Sequence, residues 1–175
     1  MLKTIAIVVA VLIAGVLILA AMKPDTLSVQ RSTTIEASPE KEFALINDFK
    51  TWSAWSPWEK KDPAMKRTFS AIPPGKGAHY ASEGNKAVGQ GSMTLTESVP
   101  PSKIANNLDF IKPFEGRNVV EFDLAAHGDT TSVDWRMHGS ANFMSKNMQG
   151  FINMDSMVGT DFEAGLANLK AVAEK

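Results

Sequence analysis

The sequence predicts an α+β fold: an antiparallel sheet of about seven strands, one face covered by a long C-terminal helix, the whole preceded by one transmembrane helix. Three observations carry this. Short runs that alternate apolar and polar residues recur between closely spaced turn signals from Lys66 to Gly139, the pattern of strands that bury one face. Val158, Phe162, Leu166, Leu169 and Val172 or Ala173 then follow helical spacing, with no proline after Pro113. Ahead of both, Thr4 to Met22 contains no charge and, after Thr4 and apart from Gly15, is built from Ile, Ala, Val, Leu and Met.

As a helix the 19 residues of that first run rise about 28 Å, close to the roughly 30 Å hydrocarbon core of a bilayer, and Lys3 and Lys23 bracket them. A cleaved signal peptide is the rival reading, since Lys3 supplies a short positive region. Its cleavage site is poor: cutting after Ala21 puts Leu19 three residues before the cut, and cutting after Ala20 puts Ile18 there, where the peptidase needs a small side chain. A buried soluble helix is the third reading. Lys3 and the terminal amine nearly balance Lys23 and Arg31, so the short amino-terminal tail, not the positive-inside count, places that end in the cytoplasm. The expectation is a single-pass membrane protein, with residues 1–23 as anchor and residues 24–175 as one domain on the periplasmic or extracellular side. Pro24, Asp25 and Thr26 form only a brief break, which holds the domain close to the membrane.

The domain opens with Leu27, Val29, Arg31, Thr33 and Ile35 alternating with polar neighbours, a strand. Ser38 and Pro39 then start a helix: the serine caps free N–H groups, proline loses nothing at the first position, and Phe43, Ile46 and Phe49 bury one face. A second short helix is expected over Lys50 to Trp55. Turn chemistry follows at Pro73-Pro74-Gly75, Glu83-Gly84-Asn85, Pro100-Pro101, Lys112-Pro113 and His127-Gly128-Asp129. Strands are placed between them at Lys66–Ala71, Ala78–Ser82, Gly89–Val99, Ser102–Ile111, Arg117–Ala126 and Thr130–Gly139. Their short connections imply an antiparallel meander.

Alternation assigns the faces, because successive side chains of a strand point to opposite sides. Met93, Leu95, Leu108, Phe110, Val120, Phe122, Leu124, Val133, Trp135 and Met137 make the apolar face. Glu121, Asp123, Asp134, Arg136 and His138 make the charged one. The last helix covers the apolar face.

Composition excludes several chemistries. Eighteen basic against 19 acidic residues, and a net of −3 from Pro24 onward, give no field for a phosphate backbone, so nucleic acid is not an expected partner. With no cysteine there is no disulfide, thiolate nucleophile or Cys-ligated zinc. His79, His127 and His138 lie on separate segments without an H-x-x-x-H pair, and no metal site or cofactor is expected. No G-x-S-x-G elbow is present, and Gly75-Lys76-Gly77 and Gly89-Gln90-Gly91 match neither the phosphate-loop nor the dinucleotide pattern. No catalytic residue is assigned, although Tyr80 and Asn106 fall inside by alternation and could serve as an acid or base.

Two clusters stand out. Trp52, Trp55 and Trp58 put three of the four tryptophans into seven residues, either as a cavity rim offering indole N–H donors or as a plug closing one end of the core. Pro57 interrupts a continuous helix through all three. Met144, Met148, Met154 and Met157, with Phe143 and Phe151, place flexible thioethers where the chain approaches the last helix, suited to varied apolar ligands or to irregular core filling.

The order strand, two helices, six strands, long helix resembles the helix-grip fold of the START and Bet v 1-like superfamily, SRPBCC, and especially its polyketide cyclase/dehydrase-like branch. Val29-Gln30-Arg31-Ser32, Trp52-Ser53-Ala54-Trp55-Ser56-Pro57-Trp58, Val88-Gly89-Gln90-Gly91-Ser92-Met93 and Asp161-Phe162-Glu163-Ala164-Gly165-Leu166-Ala167-Asn168-Leu169-Lys170 carry the resemblance. It implies a curved sheet wrapped around the C-terminal helix, with a cavity between them for a hydrophobic small molecule or lipid. The cavity candidates are Trp52, Trp55, Tyr80, Met93, Leu95, Asn106, Leu108, Phe110, Phe122, Trp135, Met137, Met144, Met148, Met157 and Phe162. The expected function is a hydrophobic-ligand or lipid-binding domain tethered to the membrane through residues 4–22. A structural or protein-interaction module of the cell envelope and a cyclase-like enzyme are the alternatives.

Overall fold

The computed structural model describes Gly15 and residues 26–113, 115–140 and 154–175. Seven strands, β1 (Thr26–Ile35), β2 (Lys66–Phe69), β3 (His79–Glu83), β4 (Gln90–Val99), β5 (Lys103–Lys112), β6 (Gly116–His127) and β7 (Thr130–Ser140), form one antiparallel sheet in the order β1-β7-β6-β5-β4-β3-β2. Between β1 and β2 lie α1 (Pro39–Asn47), a 3₁₀ helix (Phe49–Ala54) and α2 (Pro57–Lys61); α3 (Met154–Ala173) follows the sheet. The seven strands and the last helix follow in the expected order, with one helix more than expected between β1 and β2. The turn between β6 and β7 has two central residues, Gly128 and Asp129, and Gly128 supplies the positive φ of 62° that such a hairpin turn demands.

Period-two burial is strictest on β7, where Thr131, Val133, Trp135 and Met137 are buried and their neighbours are not. Register joins Val29, Met137, Val120, Asn106 and Leu95 into one row across five strands of the inner face. On the opposite face Glu121 accepts from His138 at 3.2 Å and lies 3.7 Å from both Arg136 and Lys103, so the charged face is a solvated ion-pair network as alternation predicts.

α3 lies over the inner face beside β1. Phe162, Leu166, Leu169 and Ala173, at spacings of four, three and four, are its buried stripe. Its direction is fixed by bonds at both ends: Arg31 pairs with Asp155 at 3.1 Å and Glu163 at 2.7 Å, Lys170 donates to the Thr34 carbonyl, and Glu174 accepts from the Glu36 N–H. Gly165 lets the helix approach the sheet, since a Cβ there would meet Trp135 Cζ3 at 2.6 Å and Pro57 Cδ at 3.1 Å. Gly165→Ala is therefore expected to lower stability by about 1 to 3 kcal/mol, despite alanine's better helix propensity. Thermal denaturation checks this.

Three expectations change. The helix expected over Lys50–Trp55 is a 3₁₀ turn, and the chain restarts as α2 because Pro57 holds Ser56 in extended backbone at ψ 131°. The strand expected to reach Ala71 stops at Phe69. The anchor expected at residues 4–22 lies, Gly15 apart, outside the described residues, among which no helix is long and apolar enough to cross a membrane.

Candidate functional site

The inner face divides into a packed half and a half-buried one. In the packed half Trp52, Trp55, Phe122, Trp135 and Phe162 are each at most 4% exposed. Trp135 stacks on Phe162 at 4.0 Å between centroids and on Phe122 at 5.0 Å, and Trp55 meets both Phe122 and Trp135 edge to face. The indoles of Trp52 and Trp55 donate to the carbonyls of Ile46 and Leu45 at 2.8 and 3.0 Å. Those carbonyls end α1 and have no partner within the helix. The tryptophan cluster thus caps a helix with the N–H groups that a cavity rim would have offered to a ligand. Trp58, on α2, packs edge to face on Trp135 and Phe162.

Toward the other end of the sheet the same face loosens. Leu27, Met93 and Leu108 pack against the core but are only partly buried, whereas Leu95 and Met137, one row deeper, are buried. Asn106 lies in that deeper row, between Leu95 of β4 and Val120 of β6. It is fully buried, and neither its amide nitrogen nor its oxygen has a hydrogen-bond partner. Trp135 Nε1 is likewise unpartnered. Each such group forfeits about 1 to 3 kcal/mol if nothing meets it, so Asn106 marks a place on an apolar surface where a polar partner would be gained.

Tyr80, the other interior polar candidate, is engaged. Its hydroxyl donates to Glu59 Oε1 at 2.9 Å, and Arg67 Nε donates to Glu59 Oε2 at 2.6 Å. Burial, reinforced by the Glu59 charge, raises the phenol well above its ordinary value. It is held protonated as a donor. Sequence reasoning missed Glu59, Arg67 and one further group, Glu42 of α1, whose carboxyl group is fully buried with neither oxygen partnered. Its signal was available: Glu42 lies four residues before Ile46 and shares that residue's buried face.

Two cavity candidates are not brought to the interior. Phe110 is 40% exposed because its neighbours across the sheet are Gly91 and Gly116, which offer no side chain to pack against. Met157 is 51% exposed, lying about 140° around the helix from Phe162. Met144 and Met148, with Phe143 and Phe151, lie outside the described residues, as does the side chain of Met154. Among the concavities that described residues line are two. One of about 460 Å³ crosses β5 to β7 between Asn107, Asp109, Arg117, Asn118, His138 and Ser140; the other, about 150 Å³, lies between Phe49, Phe69, Ile72 and Pro73. Neither reaches Asn106. Among the described residues no group of three or more His, Asp or Glu is placed to hold a metal ion.

The sequence pattern of the family described as polyketide cyclase / dehydrase and lipid transport matches residues 26–174. No curated protein sequence matches the chain. Solved structures share the fold at low identity. Protein CV1439 from Chromobacterium violaceum superposes with a TM-score of 0.60 at 15% identity, covering 87% of this chain and 99% of that one. The Aha1 dimer from Colwellia psychrerythraea gives 0.59 at 18%, covering 85% and 96%. The di-domain ARO/CYC BexL from the BE-7585A biosynthetic pathway gives 0.63 at 14%, covering 91% of this chain and 53% of that one. At such identities the likeness establishes the fold alone.

Proposed function

We propose, for a chain that belongs to the polyketide cyclase/dehydrase and lipid transport family over residues 26–174, that it binds a hydrophobic small molecule or lipid between the sheet and α3 while residues 4–22 tether it to a membrane. The observation that carries this is Asn106. A buried amide with an unused donor and an unused acceptor, set among Leu95 and Val120, suits a ligand whose apolar body lies along Leu27, Met93 and Leu108 and whose polar group reaches the amide. That polar group is neutral, such as a hydroxyl, carbonyl or protonated carboxyl, because an ion there would lose its hydration without gaining a counter-charge: Arg67, the cation turned inward beside Tyr80, is bound by Glu59. Native mass spectrometry and organic extraction of the purified protein test the reading. An apolar molecule carrying such a group is expected in stoichiometric amount; a protein that extracts clean and takes up no fatty acid or apolar dye contradicts it.

Asn106→Leu separates a binding role from a packing role. Removing the unpartnered amide is expected to raise the stability of the empty protein by about 1 to 3 kcal/mol. The same change should weaken ligand binding roughly tenfold, the value of one lost hydrogen bond. Thermal denaturation and fluorescence titration read the two effects, and a loss of stability would contradict the assignment.

One observation favours the structural-module reading: the close aromatic packing of Trp55, Phe122, Trp135 and Phe162 leaves the α1 half of the interior filled. The proposed ligand therefore occupies the Leu27, Met93 and Leu108 half. A cyclase-like reaction would need an acid or base facing the ligand: Tyr80 is committed to Glu59, and the unpartnered Glu42 lies on α1, in the filled half.

A further inference from the structure

Exposed apolar side chains gather at the same end of the sheet where the inner face loosens. Phe110 and Ile111 of β5 and Met157 of α3 are large hydrophobic residues left open to solvent. Register places the first two at the Thr26 end: Thr26 opens β1 opposite Ser140, the last residue of β7; Phe110 faces Gly116, the first of β6; and Lys112, the last of β5, faces Gln90, the first of β4. The bonds of Asp155 and Glu163 to Arg31 and of Lys170 to Thr34 put the start of α3 toward that end too. Of the other exposed large hydrophobics, Phe69 and Ile72 lie beside the edge strand β2, and Val99 lies at the opposite end of the sheet.

The chain itself says what meets this end. Met22 closes the uncharged run, and four peptide steps separate it from Thr26, at most about 14 Å of extended chain. With Met22 at the edge of the hydrocarbon, and a headgroup layer about 5 to 8 Å deep on each side, Thr26 cannot stand far from the lipid. The apolar residues beside it then face the same surface. Electrostatics adds little: of the exposed cations next to them, Arg117 is tied to Asp109 at 3.0 Å, and Lys112, which follows Ile111, supplies a single charge.

We infer that the Thr26 end of the domain docks on the bilayer, with Phe110, Ile111 and Met157 inserted at the lipid interface, so that the loosened inner face takes its apolar ligand from the membrane. This rests on the reading of residues 4–22 as a membrane span. The contact is apolar and therefore serves zwitterionic lipid, without need of anionic headgroups.

The absence of cysteine from the chain makes the test direct. Single variants Phe110→Cys, Ile111→Cys and Met157→Cys, with Val99→Cys and Asp129→Cys at the opposite end as references, carry an environment-sensitive fluorophore in the full chain reconstituted into phosphatidylcholine nanodiscs. Lipid with a nitroxide on the upper acyl chain is the quencher. Labels at 110, 111 and 157 are expected to be quenched several-fold more than those at 99 and 129, and equally so at high salt. Chain that enters the nanodiscs but shows equal quenching at all five positions overturns the docking surface and leaves ligand binding, measured by extraction, standing. Chain that fails to associate with the nanodiscs overturns the membrane span and the docking with it.

Discussion

Removing Gly159 to Lys175 is expected to abolish the cooperative thermal transition of the domain. The segment carries Phe162, Leu166 and Leu169, each at most 3% exposed, and burying one such side chain contributes about 1.5 to 3 kcal/mol. Their summed loss rivals the total stability of a typical domain, about 5 to 15 kcal/mol. The loss extends to the sheet, because Trp135 would surrender its stacked partner and Arg31 its bond to Glu163. Circular dichroism on heating checks this. A shortened domain that melts cooperatively near the parent temperature would contradict the role given to α3.

The second large effect is a loss of stability as pH rises, traced to Glu42. Burial, with a smaller contribution from the charge of Glu174, raises its carboxyl from the ordinary 4.5 to about 8. The folded state therefore holds a proton that the unfolded chain releases above pH 4.5, and stability falls between pH 4.5 and 8. At about 1.4 kcal/mol per unit the full loss approaches 5 kcal/mol. Glu42→Gln removes the titration while keeping the shape of the side chain. Its denaturant midpoint should lose most of the downward slope over that window, whereas a slope equal to the parent's would show that Glu42 is not its source.

The strands were legible because each buries one face, so alternation and turn residues carry both position and orientation. Val133, Trp135 and Met137 are found where period two places them. Alternation failed at Phe110 because it records which face a residue points to, and burial also needs neighbours: Gly91 and Gly116 supply none. It carried no information on the register shift between Leu95 and Glu97, a property of the strand pair. The tryptophan cluster was visible, but its hydrogen bonds were not, since they depend on where the carbonyls that end α1 lie. Glu42, Glu59 and Arg67 were passed over for a different reason: charged residues are usually solvated, and only the packing of α1 and α2 against the sheet encloses them. Asn106 was legible as an inward-facing residue. Its lack of a partner was a fact of three dimensions.

In the proposed complex the Asn106 amide receives the polar group of a bound apolar molecule. Side-chain amide NMR of Asn106, in extracted protein and again after loading with the recovered molecule, tests it most directly. The expected result is that the Asn106 side-chain N–H resonances move downfield on loading and that this movement tracks occupancy. Resonances that stay fixed while the molecule binds would place the ligand elsewhere and leave Asn106 without the role assigned to it.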